Sequence, residues 1–253
     1  MDEQHWADYL THFHGERPAV TERLLGLAED NPYAWVAEPL HGSFGAVVDL
    51  GCGSAPTRTW LPEAYWVGLD SSSGELARAA AGRRGPLVLA DAHALPFASD
   101  AVSAVCAAMS LQVLVPLDAV LDEVERVLEP DGVMTALVPA RLGPTVRGLA
   151  AWIRVLAALR TRRLDWPNPQ ACDGTARLLR ARGWTVLSED RRVLTLRMEE
   201  PEHTSLLVRG LYLPRTGEKR LRAAERTLAA WARPGRFVPL PLLRVVARSP
   251  KAP

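Results

Sequence analysis

Lysine is almost missing from this sequence: of its 30 basic residues only Lys219 and Lys251 are lysines, and the rest are arginines. Two readings of that bias stand side by side. One is a genome rich in G and C, whose codons favour arginine and alanine. The other is a positive surface that the C-terminal part offers to an acidic substrate or carrier. Cysteine is scarce too. Cys52, Cys106 and Cys172 are odd in number and far apart, which argues against a disulfide frame or a metal site and fits reduced thiols in the cytoplasm. No window approaches eighteen uninterrupted apolar residues, so no membrane-spanning helix is expected. The opening MDEQHWADYL is acidic and has no apolar core, which speaks against a secretory signal. Internal repeats and low-complexity segments are also lacking.

What is present is an ordinary globular composition. The 253 residues are 48% hydrophobic and 23% charged, enough for one α/β domain with a core plus an appended cap. The net charge of +1 hides a division. Residues 1–140 hold 7 basic and 20 acidic side chains, whereas residues 141–253 hold 23 basic and 9 acidic ones. Opposite charges on adjoining layers of one fold would need no outside partner.

Hydrophobic periodicity orders the chain. Up to about residue 40, Trp6, Tyr9, Leu10 and Phe13, then Val20, Leu24, Leu25 and Leu27, recur at helical spacing. From there short apolar runs read as strands at 46–50, 65–69, 87–90, 101–108 and 132–138. Helices are expected between them at 56–61, 73–83 and 117–128. Strands separated by helices imply βαβ units and a mostly parallel sheet, which binds ligands at the carboxyl ends of its strands. Beyond that the rhythm changes: helix over 145–163, helix over 172–182, strand over 184–188, helical character over 200–232, and a last strand over 237–247.

The segment VVDLGCGSAP, Val47 to Pro56, ends a strand in an acid and follows it with Gly-x-Gly. Glycines leave no Cβ in the way of a ligand, and a helix N-terminus beyond them would offer free N–H groups to a carboxylate. Ser54 suits the cap of that helix and Pro56 its first turn. YWVGLDSSS then puts Asp70 at the end of the second strand, where a carboxylate can accept ribose hydroxyls. LVLADAHALPF puts Asp91 at the end of the third, and VLDEVERVLEPDGV carries a helix into a Pro-x-Gly turn and a strand.

Four motifs in this order, across about residues 45–140, resemble the class I methyltransferases that use S-adenosylmethionine (SAM). The resemblance implies an α/β fold: a doubly wound, seven-stranded, mostly parallel sheet of Rossmann-like type with a helical cap, its last strand antiparallel. It implies cofactor contacts from Asp49, Gly51, Cys52, Gly53, Asp70, Ser71, Asp91, Ala92, Met109 and Ser110. Asp91 would meet the adenine amino group and the next N–H the ring, and S-adenosylhomocysteine would be the product. A nicotinamide site is disfavoured, because the third glycine of a dinucleotide turn is replaced by Pro56. One departure from the methyltransferase pattern is Ala55, where the family carries a further glycine.

Substrate-side candidates are Tyr33, Gln112 after the fourth strand, and His12 and His14, with His5, in an N-terminal lid. Tyr33 and Trp35 would wall the site or fill the seam between lid and core. His93 is expected to face solvent. No acid-base pair stands out, and no metal site is expected. The domain reading is an N-terminal lid at 1–42, a SAM-binding core at 43–140, a helical insertion at 141–170, and a C-terminal part of the core at 171–253 with a further helical insertion at about 200–232. The function this implies is methyl transfer from SAM to an O, N or C nucleophile of a small, secondary-metabolite-like molecule, acidic or carrier-bound among the options. Nucleic acid is not expected as a partner, since no aromatic platform interleaves with the basic residues. The alternative is a SAM-binding protein that senses or scaffolds without methyl transfer.

Overall fold

Apolar residues on both faces mark the strands of the sheet's first part: β1 (Ala46–Leu50), β2 (Tyr65–Asp70), β3 (Leu87–Leu89), β4 (Val102–Ala108) and β5 (Leu128–Pro139). Two longer strands follow, β6 (Thr185–Arg197) and β7 (Phe237–Arg248). In the computed structural model, which describes residues 1–43, 45–141 and 146–251, they form one sheet of order β3-β2-β1-β4-β5-β7-β6. Strands β1 to β5 pair in parallel, and β7 runs antiparallel to both neighbours. From β1 the chain builds outward through β2 and β3, then crosses back to β4. That reversal leaves a crevice outside the carboxyl ends of β1 and β4.

Helices cover both faces. On one, α5 (Leu117–Val127) and α7 (Thr175–Ala181) bury Val120, Val124 and Leu179 against Val48, Val105 and Met134. On the other, α3 (Pro32–Ala37) sets Trp35 and Val36 against Val47, Cys106 and Leu137. Asn31 fixes the start of α3 by accepting from the N–H groups of Tyr33 and Ala34, and α4 (Ser73–Ala81) starts on the Ser72 hydroxyl. Beyond the sheet's far half, α6 (Val146–Leu159), α8 (Pro201–Gly210) and α9 (Glu218–Ala229) share a cluster with Leu196 and Val238. The N-terminal helix α1 (Glu3–Glu16) and the short α2 (Val20–Leu25) lie over the crevice. There Trp6, Phe13 and Val20 pack with Tyr212. Among the described residues no helix is long and apolar enough to cross a membrane.

Several expectations need correction. Residues 56–61 hold a single 3-10 turn, Pro56–Trp60, rather than an α-helix. Proline at 56 and again at 62 leaves no room for a longer one. Ser54 does not cap it. The capping position is Ala55, in the left-handed region at φ 58, and the Ser54 hydroxyl donates to Glu22 instead. Strand β6 runs to Arg197, well past Ser188, and β5 starts at Leu128, ahead of the turn at Gly132. Helix α7 begins at Thr175, and the stretch 200–232 is two helices joined through Leu211–Gly217. The expected lid also divides: α1 and α2 cover the crevice, while α3 belongs to the core, where the Thr135 hydroxyl donates to the Val36 carbonyl. Of the expected core Phe44, of the 141–170 insertion residues 142–145, and of the C-terminal part residues 252 and 253 lie outside the described residues.

Candidate functional site

At the end of β1 the backbone turns through two glycines in the left-handed region, Gly51 at φ +65 and Gly53 at φ +54. A Cβ on Gly51 would stand 2.9 Å from the Cβ of Ser110, so the turn and the loop after β4 touch backbone to side chain. The Gly53 N–H donates to Oδ2 of Asp70 (2.8 Å), and the Ser72 N–H donates to its Oδ1 (2.8 Å). One carboxylate thus ties the glycine turn to the start of α4. Burial raises the Asp70 pKa, while those two N–H groups and His14 pull it down.

Asp49 sits deeper, 1% exposed. The Thr57 hydroxyl donates to its Oδ2, and Oδ1 has no partner in the protein. Burial pushes this carboxyl up to about 7 against the Thr57 bond, with Asp70 adding to the rise. Asp91, at the end of β3, is held low chiefly by the His93 N–H, which donates to its Oδ1 (2.9 Å). The His93 ring is half-buried rather than fully turned to solvent. It folds back with Nδ1 2.5 Å from the same oxygen, and its buried Nε2 has no partner.

These groups line one cavity of about 580 Å³. All ten residues named for the cofactor contribute to its wall, as do Tyr33 and His14. Tyr33 is buried, which raises its phenol pKa well above the ordinary value. Trp35 instead fills the core seam, with the Arg192 guanidinium 4.6 Å from its ring centroid. Gln112 is buried away from the cavity. Its side-chain amide donates to the Met109 carbonyl (2.6 Å), and its backbone carbonyl accepts the Asn168 backbone N–H (3.1 Å), so it braces the loop after β4. His5 and His12 are exposed and pair on their own helix with Asp2 and Glu16.

Three residues meet here that no sequence motif joins. His14 on α1 places Nδ1 2.9 Å from Oε1 of Glu75 on α4, and Nε2 3.1 Å from the Tyr212 hydroxyl between α8 and α9. Glu75 is 3% exposed and accepts the Ala19 N–H on its other oxygen (2.8 Å). Burial raises the Tyr212 phenol pKa. Helix α1, helix α4 and the segment after α8 are fastened to one another at the cavity's rim.

A sheet with this reversed order and a glycine turn tied to Asp70 at the end of β2 is a Rossmann-like methyltransferase fold. Residues 48–136, less than half of the chain, match the family model described as a methyltransferase domain. Over 117 residues the chain is 42% identical to a demethylmenaquinone methyltransferase of Mycolicibacterium paratuberculosis, a match covering 45% of this chain and 50% of that protein. The chain therefore spans about half the length of the curated relative it matches. Among solved structures, a candidate methyltransferase from Bacillus halodurans superposes with a TM-score of 0.56 at 13% identity, over 88% of this chain and 100% of that one. A 4+2 cyclase superposes at 0.55 with 18% identity, over 86% and 79%. At such identities the likeness concerns the fold alone.

Proposed function

We propose that the protein is an enzyme that transfers a methyl group from SAM to an oxygen, nitrogen or carbon nucleophile of a small molecule. One observation carries this reading: the ten residues expected at the cofactor, drawn from four strand ends, line a single cavity. The residues fit the group. Asp70 has two lone-pair directions taken by backbone N–H groups and others left for ribose hydroxyls. The orphaned Oδ1 of Asp49 suits an ammonium donor such as that of the methionine part. Asp91, with the Ala92 N–H beside it, suits the adenine edge. When bound, SAM supplies an activated sulfonium methyl, so the protein's task is alignment and exclusion of water. Helix α1 and the segment Val113–Val115 close the cavity with apolar side chains. Gln112 holds the loop that carries Met109 and Ser110.

Calorimetry on the full chain tests the assignment. S-adenosylhomocysteine should bind in the micromolar range, roughly 7–8 kcal/mol, and Asp70→Ala should lose on the order of 1.5–3 kcal/mol with its charged acceptor gone. Unchanged affinity in that variant, or tighter binding of NAD than of SAM, overturns the reading. Binding without transfer draws on a different observation: the titratable groups His14, Glu75 and Tyr212 are engaged with one another rather than free. Formation of S-adenosylhomocysteine in the presence of cell extract separates the two.

A further inference from the structure

Where a first helix is expected to cover the sheet's flank, the 3-10 turn Pro56–Trp60 leaves a second cavity of about 590 Å³ between α2 and α4. Its wall is basic. Residues 1–140 contain only 7 basic side chains against 20 acidic ones, yet three of the seven, Arg23, Arg78 and Arg84, line this one groove. Arg84 is engaged, donating to Glu22 and to the Ser54 carbonyl (both 2.9 Å). Among the described residues, the Arg23 and Arg78 guanidiniums have neither an ion pair nor a hydrogen bond. Trp60, 37% exposed, adds an indole face. The groove shares Ala19, Glu22, Tyr33 and Pro56 with the cofactor cavity, so the two are neighbours across a common wall.

Two unpaired guanidiniums in one concavity, inside an acidic part of the chain, are poised for an anion. Guanidinium forks match the planar oxygens of carboxylates and phosphates, and a nearby indole takes an apolar body. The volume lies within the range of small-molecule sites. We propose that this groove is a second binding site, for a small organic anion that carries a carboxylate, phosphate or sulfonate on a flat apolar body. Arg23 and Arg78 hold the anion and Trp60 the body, with Tyr33 on the wall shared with the cofactor cavity. Such an anion could come from part of the methyl acceptor or from a separate effector, and the two sources share this chemistry.

The probe is 1-naphthyl phosphate, titrated by calorimetry into the full chain. It should saturate one site, and 1-naphthol, without the charge, should bind at least about tenfold more weakly. The Arg23→Ala/Arg78→Ala double variant should weaken the probe by about tenfold or more while keeping S-adenosylhomocysteine affinity and circular dichroism unchanged. Arg78→Glu alone should act in the same direction, and rising salt should weaken the unaltered protein's binding. Saturating S-adenosylhomocysteine separates the sources. A tightened probe identifies acceptor chemistry, and an unchanged one a separate effector. Displacement of the probe by S-adenosylhomocysteine, equal binding of 1-naphthol, or a double variant within twofold of the original overturns the proposal. Should S-adenosylhomocysteine fail to bind while the probe does, the cofactor reading falls and the groove stands.

Discussion

Asp49 shows how one buried carboxyl couples the site to stability. Its pKa in the folded chain is about 7 against an ordinary 3.8, so the folded state holds this proton more tightly than the unfolded one. The stabilisation is full below the unfolded value and is lost as pH climbs through the folded value. Asp49→Asn cannot ionise. Relative to the original protein it should gain about 1 kcal/mol or more of stability between about pH 5 and about pH 8, read by urea unfolding. A difference that stays constant with pH would refute the buried, proton-holding carboxyl. Gly51 makes a steric counterpart: Gly51→Ala forces a Cβ against Ser110 in a left-handed conformation and should cost about 1–3 kcal/mol. Thermal unfolding checks it, and an unchanged midpoint would mean the turn relaxes freely. Both residues were legible beforehand, because a strand end followed by Gly-x-Gly is a local pattern.

The elements divide by how local their signals are. Strands β1, β2 and β4 and helix α5 fall within a residue or so of their expected limits, since each buries a continuous or periodic apolar set. Strand β6 was read only as far as Ser188. It is an edge strand, exposed along most of its length, and Glu189–Arg192 gives four charged residues with no apolar alternation. The knot of His14, Glu75 and Tyr212 was illegible for another reason: its members are 61 and 198 positions apart. This knot fastens α1 to α4 and to Tyr212. Glu75→Ala strips partners from the Ala19 N–H and from His14, a loss of about 1–3 kcal/mol in local stability. Limited proteolysis should then cut residues 1–19 several-fold faster, while S-adenosylhomocysteine slows cutting of the original protein. Equal rates in variant and original would show that α1 is held by its apolar contacts alone.

Across the whole molecule the charge division is partly answered from within. Arg182 reaches Asp118, Asp122 and Glu125 on α5; Arg244 reaches Glu38, and Arg248 reaches Asp131. Arginines of the basic part thus pair with acids of the other. Arg182→Ala would leave three acids of α5 facing one another and should cost about 1 kcal/mol, more than a lone surface pair is worth. The deficit should shrink by about half or more in 0.5 M salt as screening shortens the range of repulsion. Thermal melts at two salt concentrations decide it, and a deficit insensitive to salt would point to lost packing instead. The strand order also sets a timetable for synthesis. Strands β1 to β5 can pair as they leave the ribosome, whereas β6 emerges before β7, the strand that must slide in between it and β5. Helix α1, made before the sheet, finds Tyr212 only after α8 has emerged. The half-made protein therefore has its glycine turn and strand-end acids in place while the cavity is still roofless, and ligand bound at that stage would meet open water on one side.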